Sequence, residues 1–213
     1  MKTDDLIDML ARGPDVRVDA HRWRRFLVPA LLGLAACVLL MQLLLGTRHD
    51  IGRALLLPAF WIKFCFALVL SVVGAFAVRK VSAPGAKLGG LAPMVGLPIV
   101  ALWGLAAWVL WQAPPDARAA LVWGQTWRVC TVLIVVLAVP VFIAALVAIK
   151  KRAPTRLRTA GAAAGLASGA TAAMVYCFHC PEMSPAFVGV WYVLGIAAMT
   201  LVGALIGPKV LSW

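Results

Sequence analysis

The residues best suited to chemistry lie in one short segment, Cys177–Pro185. This segment holds two thiols, one imidazole, one thioether and the only glutamate of the chain, Glu182. Cysteine thiols are oxidised in stages, beginning with sulfenic acid and disulfide. Thiol, thioether and imidazole groups are also ligands for soft metal ions such as copper and zinc. Because the residues on both sides are almost all apolar, the segment predicts a sensor of oxidants or metals at the edge of a membrane.

The five cysteines divide into two groups by their surroundings. Cys37 and Cys65 lie within long apolar runs, where a thiol stays protonated and unreactive. Cys130, Cys177 and Cys180 lie at or near the ends of apolar runs and are expected at one face of the membrane. That face is predicted to meet an oxidising compartment, where disulfides persist, so these three are the candidate sensing cysteines.

Three interpretations of these thiols remain open. In the first, free thiols react with oxidants, with His179 beside them as a further sensing residue. In the second, a copper, zinc or other soft metal ion binds transiently, although a lone C-x2-C pair lacks the four ligands of a structural zinc site. The candidate metal ligands are Cys130, Cys177, His179, Cys180 and Met183. In the third, a Cys130–Cys180 disulfide is purely structural. No permanent cofactor is required in any of the three.

The elements that position these residues are predicted to be membrane helices. Hydrophobic residues make up 63% of the 213 residues and charged residues 13%, which exceeds what a soluble domain of this size can bury. Six apolar runs are each long enough to cross a hydrocarbon core, and a spanning backbone must satisfy its own hydrogen bonds as a helix. The predicted fold is all-α, a polytopic bundle of six transmembrane helices in the lipid bilayer, over Phe26–Leu45, Ala59–Val78, Met94–Trp111, Val129–Ile149, Thr159–Phe178 and Ala186–Gly207.

The distribution of Lys and Arg predicts the orientation of this bundle. Fifteen of these residues fall in the N-terminal segment, the second and fourth connections and the C-terminal tail, against four in the other connections. The positive-inside rule then places both termini in the cytoplasm and Cys177–Pro185 on the opposite face, the periplasm of a Gram-negative cell. The net charge of +12 follows this topology, so no direct contact with nucleic acid is expected. Since residues 1–25 lack a signal-peptide pattern, the first apolar run is expected to stay as an anchor.

Two features inside the predicted spans bear on packing. Gly161, Gly165 and Gly169 recur every four residues, which lines one helix face with small residues and lets another backbone approach closely. The fifth span is therefore predicted to be the central helix. Lys63 lies near the outer end of the second span, and its long side chain is expected to extend to the membrane surface.

Residues 1–25 form a separate cytoplasmic segment, predicted to dock onto a partner. Thr3 can cap a helix, and a break follows at Gly13-Pro14. About three turns do not fold alone in water, and an acidic polar face disfavours binding to anionic lipid. A protein partner with an apolar groove and a basic rim is expected. The candidate partner-binding residues are Asp4, Asp5, Leu6, Ile7, Asp8, Met9 and Leu10.

Motifs that would indicate an enzyme or a transporter are missing from the sequence. It contains no phosphate-binding glycine loop, no H-E-x-x-H and no G-x-S-x-G pattern, so no catalytic residues are assigned. The apolar runs hold few polar residues besides Lys63. The alternative to a sensor is a small transporter or channel for a metal ion or polar solute, with the cysteine segment as its entry site, but such a protein would need polar residues through the membrane.

The chain resembles the NrsF-like membrane anti-sigma factors of proteobacteria. The resemblance rests on the start, Met1-Lys-Thr-Asp-Asp-Leu-Ile-Asp-Met-Leu, on Trp127-Arg-Val-Cys leading into Lys151-Arg-Ala-Pro-Thr, and above all on His179-Cys-Pro-Glu-Met-Ser-Pro-Ala-Phe-Val with the Trp191-Tyr that follows. It implies a regulator that holds an extracytoplasmic-function sigma factor at the inner membrane and responds to oxidants or heavy metals. By motif, the outward-facing cysteine pair of the family corresponds to Cys130 and Cys180, while Cys177 falls outside it.

This resemblance implies a division of the chain into three parts. Residues 1–25 would dock the sigma factor, residues 26–208 would form the six-helix bundle, and residues 209–213 would be a cytoplasmic tail. Modification of Cys130 and Cys180 would shift the fourth span against the fifth and sixth, and a two-state bundle could carry that shift to the cytoplasmic side.

Overall fold

The computed structural model of the protein describes residues 24–82, 89–152 and 154–212, and within these ranges the fold is helical throughout. The partner-docking segment predicted at residues 1–25 lies almost wholly outside the described residues. Six long helices and two short ones follow one another along the chain. They are α1 (Arg24–Leu44), α2 (Ile51–Ala54), α3 (Pro58–Val81), α4 (Leu91–Gln112), α5 (Pro115–Trp123), α6 (Trp127–Lys150), α7 (Leu157–Tyr176) and α8 (Pro185–Val210).

The all-α prediction is confirmed, since each predicted span coincides with one of the six long helices. By length and composition, five apolar segments of the described chain could cross a membrane: α1, α3, α4, the run from α5 through α6, and α8. The helix α7 is not among them because Gly, Ala, Ser and Thr replace larger apolar residues along it. The count of six membrane crossings and the cytoplasmic placement of both termini stay predictions.

Local sequence explains where several helices begin. Proline occupies the first position of α3, α5 and α8, where its missing N–H is not needed and its fixed φ suits a helix. Near its start, α8 contains a π-helical turn at Val188–Tyr192, and such turns are frequent at functional sites. Its far end runs through Lys209 to Val210, so the helix extends into the segment predicted as a tail.

The helix α7 lies at the centre of the bundle. Thirteen of its twenty residues are buried, and it packs against α8, α3, α6 and α1. Its small residues allow this, because they bring neighbouring backbones close together. A single weakly apolar helix thus forms the core on which the larger, more apolar helices pack.

The contact between α7 and α8 is made by backbone atoms. A Cβ atom added at Gly161 would collide with the carbonyl oxygen of Gly203, and one added at Gly165 would collide with that of Met199. At Gly169 the added atom would lie 3.1 Å from the Cα of Ile196. The structure therefore places all three glycines of the predicted face against α8.

Three connections meet at one end of the bundle. The N–H of Arg48, after α1, donates to the carbonyl of Phe178, after α7, at 3.1 Å. The N–H of Gln125, before α6, donates to the carboxylate of Glu182 at 2.7 Å. The Trp191 indole of α8 donates to the carbonyl of Val122 in α5 at 3.0 Å. This end contains the cysteine segment.

Candidate thiol site

The segment Cys177–Ser184 is a tight turn that directs its second cysteine back into the bundle. After α7 ends at Tyr176, the N–H groups of His179 and Cys180 both donate to the Tyr176 carbonyl at 3.0 Å. Pro185 then starts α8. Cys180 is fully buried although the next residue, Pro181, is exposed, so its thiol lies directly beneath the surface of the protein.

Cys130 and Cys180 meet in this turn. Cys130 lies in the first turn of α6 and is fully buried. The side chains of the two cysteines are within hydrogen-bonding range of each other. All five cysteines lie in the described chain and are free. The structure thus brings together, as two thiols, the pair that the family resemblance implied.

Cys177 is also buried, but it is separate from this pair. Its thiol donates to the Ala173 carbonyl one turn earlier in α7 at 3.2 Å. Cys177 is fully buried, and an apolar environment disfavours the thiolate form of its side chain. Since the thiolate is the reactive form of cysteine, Cys177 is expected to be inert.

The other candidate metal ligands have different partners. His179 Nδ1 lies 3.0 Å from the Gly46 carbonyl oxygen and its ring packs beside Tyr176. Met183 is half-buried against the apolar core. Within the described ranges, no three His, Cys, Asp or Glu side chains form a group able to hold a metal ion. The metal interpretation stays a prediction without a ready-made ligand set.

Lys63 occupies a position that sequence reasoning assigned wrongly. It was expected to extend to the membrane surface, yet its side chain is 1% exposed. Its ammonium is covered by the turn after α7 and donates to the carbonyl oxygens of Cys180 at 3.0 Å and Glu182 at 2.9 Å. The turn between α7 and α8 folds over α3 and offers carbonyl groups that the apolar pattern of α3 does not reveal.

Arg48 is the second cation at this turn. Its guanidinium donates to the Cys180 carbonyl at 3.3 Å and to both carboxylate oxygens of Asp50 at 2.6 Å. The bidentate geometry fixes the guanidinium plane, so the ion pair orients Arg48 over the turn. Two cationic side chains therefore share the carbonyl oxygen of Cys180.

Glu182 joins the turn to the start of α6. Its carboxylate accepts the Gln125 N–H and lies against Gly124. Gly124 has a positive φ of 55°, and a Cβ atom there would lie 2.7 Å from the carboxyl carbon of Glu182, so only glycine leaves room for this contact. The carboxylate thereby holds the segment that bears Cys180 against the helix that bears Cys130.

The environment of Cys180 favours its thiolate. The pKa of the Cys180 thiol is lowered, chiefly because the Cys130 side chain hydrogen-bonds to it and then because the Lys63 ammonium lies nearby. Burial opposes this shift but does not cancel it. Cys177, three residues earlier, instead hydrogen-bonds to a backbone carbonyl of α7.

Comparison with known proteins assigns the chain to a family. The family model described as "Negative regulator of sigma F" matches residues 10–213. The chain belongs to the NrsF family. It is 46% identical over the full length of both chains to a protein of Azospira oryzae named "Probable anti-sigma-F factor NrsF". It is 38% identical, again over both full lengths, to the "Anti-sigma-F factor NrsF" of Caulobacter vibrioides. No solved structure matches the chain.

Membership of the NrsF family confirms the resemblance noted in the sequence and identifies a regulatory family. Within this NrsF-family chain, Cys130, Cys180 and Glu182 were recognisable from the sequence. Nothing in the sequence indicated that Arg48 or Gly124 belongs to this site, and the contacts of Lys63 were not predicted. The one available signal for Lys63 was an ammonium group inside a predicted span, which is a functional hypothesis by default.

Proposed function

We propose that this protein is a membrane anti-sigma factor. It sequesters an extracytoplasmic-function sigma factor at the bacterial inner membrane, and it releases the sigma factor when periplasm-facing cysteines react with an oxidant or a heavy-metal ion. Membership of the NrsF family carries the proposal, because both matched relatives are named anti-sigma-F factors and match over their full lengths.

The membrane location is supported by five apolar segments long enough to span a bilayer. The bias of Lys and Arg towards one set of connections supports six crossings with both termini in the cytoplasm. With that orientation, the end of the bundle that holds Cys130 and Cys180 faces the periplasm. An oxidant or metal ion outside the cytoplasm can then reach this end without crossing the membrane.

Sigma-factor docking is assigned to the N-terminal segment. In the helix that the sequence predicts there, an apolar stripe would be formed by Leu6, Ile7, Met9 and Leu10, with the acidic residues Asp4, Asp5 and Asp8 beside it. A short amphipathic helix of this kind binds in an apolar groove, and its carboxylates suit basic residues at the groove rim. The reacting thiols, Cys130 and Cys180, lie at the opposite end of the bundle. Their modification would move helices that extend from that end to the cytoplasmic side, where the sigma factor is held.

Binding is tested by affinity purification of the tagged chain from native membranes, followed by identification of the co-eluting proteins. We expect a sigma factor with the full chain and none with a chain lacking residues 1–13. A finer variant, Leu6→Ala with Leu10→Ala, truncates two leucines of the proposed docking segment. It should reduce the recovered sigma factor at least tenfold, since each leucine buried in a groove contributes about 2 kcal/mol.

The control for this experiment is Lys2→Ala with Arg12→Ala, which changes the same segment outside the apolar stripe and should recover sigma factor as the full chain does. All variants must be present in membranes at equal amounts. Recovery of no sigma factor with the full chain from unstressed cells would contradict the proposed function.

A further inference from the structure

Lys63 has a buried ammonium group that pairs with no carboxylate of the described residues. Its side chain is 1% exposed within α3. Within the ranges that the structure describes, Lys63 forms no ion pair. Burying an ammonium group is expensive unless an opposite charge accompanies it. We therefore expect a negative charge close to the Lys63 ammonium group, because without one an uncharged side chain would be more stable at this position.

The immediate partners of Lys63 Nζ are dipoles and ring faces. They are the carbonyl oxygens of Cys180 and Glu182, at 3.0 and 2.9 Å, and the rings of Phe60 and Tyr192, whose centroids lie 6.0 and 5.9 Å away. Carbonyl groups and aromatic faces attract a cation but carry no net charge. They orient the ammonium group without neutralising it.

The Cys180 thiol is the acid best placed to supply the missing charge. The carbonyl oxygen of the same residue accepts a hydrogen bond from Lys63 Nζ at 3.0 Å, and the thiol lies close enough for the ammonium charge to act on it. Lys63 contributes to the lowered pKa of the Cys180 thiol. The Glu182 carboxylate is directed elsewhere, onto the Gln125 N–H and Gly124.

We propose that Lys63 is a positioning residue that pairs with the Cys180 thiolate and thereby makes Cys180, rather than Cys130, the thiol that reacts first. The inference rests on the proposed function only in using the same thiol site. It adds which of the two cysteines reacts first and identifies Lys63 as the residue that determines this order. Cys130 is the resolving thiol, which reacts second with the modified Cys180.

With hydrogen peroxide as the oxidant, the chemistry runs in two steps. The Cys180 thiolate attacks one oxygen, the O–O bond breaks, and the leaving hydroxide takes a proton to become water. The Cys130 thiol then attacks the sulfur of the Cys180 sulfenic acid. The S–S bond forms, the S–O bond breaks, and the proton from Cys130 leaves with the hydroxide as a second water. The two thiols lose two electrons, and the peroxide gains them.

The pairing also links oxidation to the bundle. A disulfide is neutral, so its formation removes the charge that accompanies Lys63 and leaves the ammonium buried alone. The ammonium must then leave the turn or draw water into it, because an unpaired charge is not stable there. Lys63 belongs to α3, which runs to Val81 at the opposite end of the bundle, so its release moves a helix that reaches that end.

The test compares two variants of the purified full-length chain under limiting N-ethylmaleimide, with labelling at each cysteine measured by mass spectrometry. Lys63→Gln keeps N–H donors but loses the charge, and Lys63→Arg keeps the charge. Cys130 is the internal reference because it is as fully buried as Cys180. We expect Cys180 to react before Cys130 in the unchanged chain and in Lys63→Arg. In Lys63→Gln the rate of labelling at Cys180 should fall about tenfold. This is the expected loss of the reactive thiolate when the pKa of a thiol rises by about one unit.

An unchanged preference for Cys180 in Lys63→Gln would overturn the proposal. Glu182→Gln provides a second, independent variant: it should speed labelling of both thiols equally by loosening the turn. If Cys180 no longer reacted before Cys130 in Glu182→Gln, Glu182 would be identified as the counter-charge of Lys63, and this result would also overturn the proposal. The labelling order does not depend on sigma-factor binding, so a chain that binds no sigma factor counts against the proposed function alone.

Discussion

The two ends of α7 make opposite kinds of contact. Near its start, Gly161 and Gly165 bring its backbone directly against that of α8. Beyond its end, Phe178 packs against aromatic rings of α3, but the turn that holds Cys180 also depends on polar contacts from Lys63, Arg48 and the backbone of Gln125. Backbone contact leaves no side chain that can change its rotamer, whereas polar contacts can be broken by one change of charge. We infer that the bundle is rigid at the glycines and able to rearrange at the thiols.

The glycine contact should show the largest effect on stability. Gly165→Ala places a methyl group onto the Met199 carbonyl, and the helices must separate to admit it. We expect the free energy of unfolding to fall by about 3 kcal/mol, the upper range for overpacking, measured by thermal unfolding in detergent. Gly104→Ala in α4 is the control, since an added Cβ meets nothing within 4 Å there, and it should be neutral or stabilising. Equal stability of the two variants would refute the rigid contact.

The two buried cysteines after α7 should differ in function. Cys180→Ser is expected to abolish peroxide-induced release of the sigma factor, because the first-reacting thiol is lost. Cys177→Ser should release it as the unchanged chain does, since Cys177 hydrogen-bonds within its own helix. The measurement is reporter transcription from a sigma-dependent promoter before and after peroxide. Loss of response in both variants would mean that Cys177 takes part in sensing.

Glu182 should have an intermediate effect. Glu182→Gln keeps the size of the side chain but weakens the charge-assisted hydrogen bond from Gln125. Such bonds contribute about 1.5–3 kcal/mol, and partial exposure to solvent reduces this to about 1 kcal/mol. We expect the variant to label faster at Cys130 and Cys180 and to unfold at a slightly lower temperature. Slower labelling would show that Glu182 does not hold the turn closed.

Asp50 should have the smallest effect. The hydrogen bond from Arg48 lowers the pKa of Asp50 below its ordinary value of 3.8. Its contribution to stability is therefore complete above pH 3.8 and is lost as the pH falls through the lowered value. Asp50→Asn should remove this pH dependence and leave the neutral-pH unfolding temperature almost unchanged, because the carboxylate is exposed. A large loss of stability at neutral pH would indicate a structural role for the pair.

The sequence predicted the helices better than the site. Long apolar runs fix helical spans in lipid because the backbone has no other way to satisfy its hydrogen bonds, and the glycines at spacing four indicated that α7 is central. The short α5 and the π-helical turn at Val188–Tyr192 were not foreseen. Both lie at the outer end, where local composition is mixed and tertiary contacts determine the conformation.

Only some of the residues of the thiol site could be predicted from the sequence, for a related reason. Cys180 stood out because reactive side chains are rare in this chain. Lys63 did not, because a lysine one turn from a span end suits an outward-pointing side chain equally well. Its burial depends on carbonyl groups more than a hundred residues further along the chain. Only the folded turn brings these groups together, so no local pattern could reveal them.

The most direct test is the amount of sigma factor that co-purifies with the tagged chain from native membranes, before and after brief exposure of cells to peroxide. Cys130→Ser with Cys180→Ser is compared with the unchanged chain, and Cys65→Ser, an exposed cysteine of α3, is the control. We expect the unchanged chain and the control to lose their sigma factor on exposure, and the double variant to bind and retain it. Release from the double variant to the same extent as from the unchanged chain would contradict the assignment of sensing to this pair.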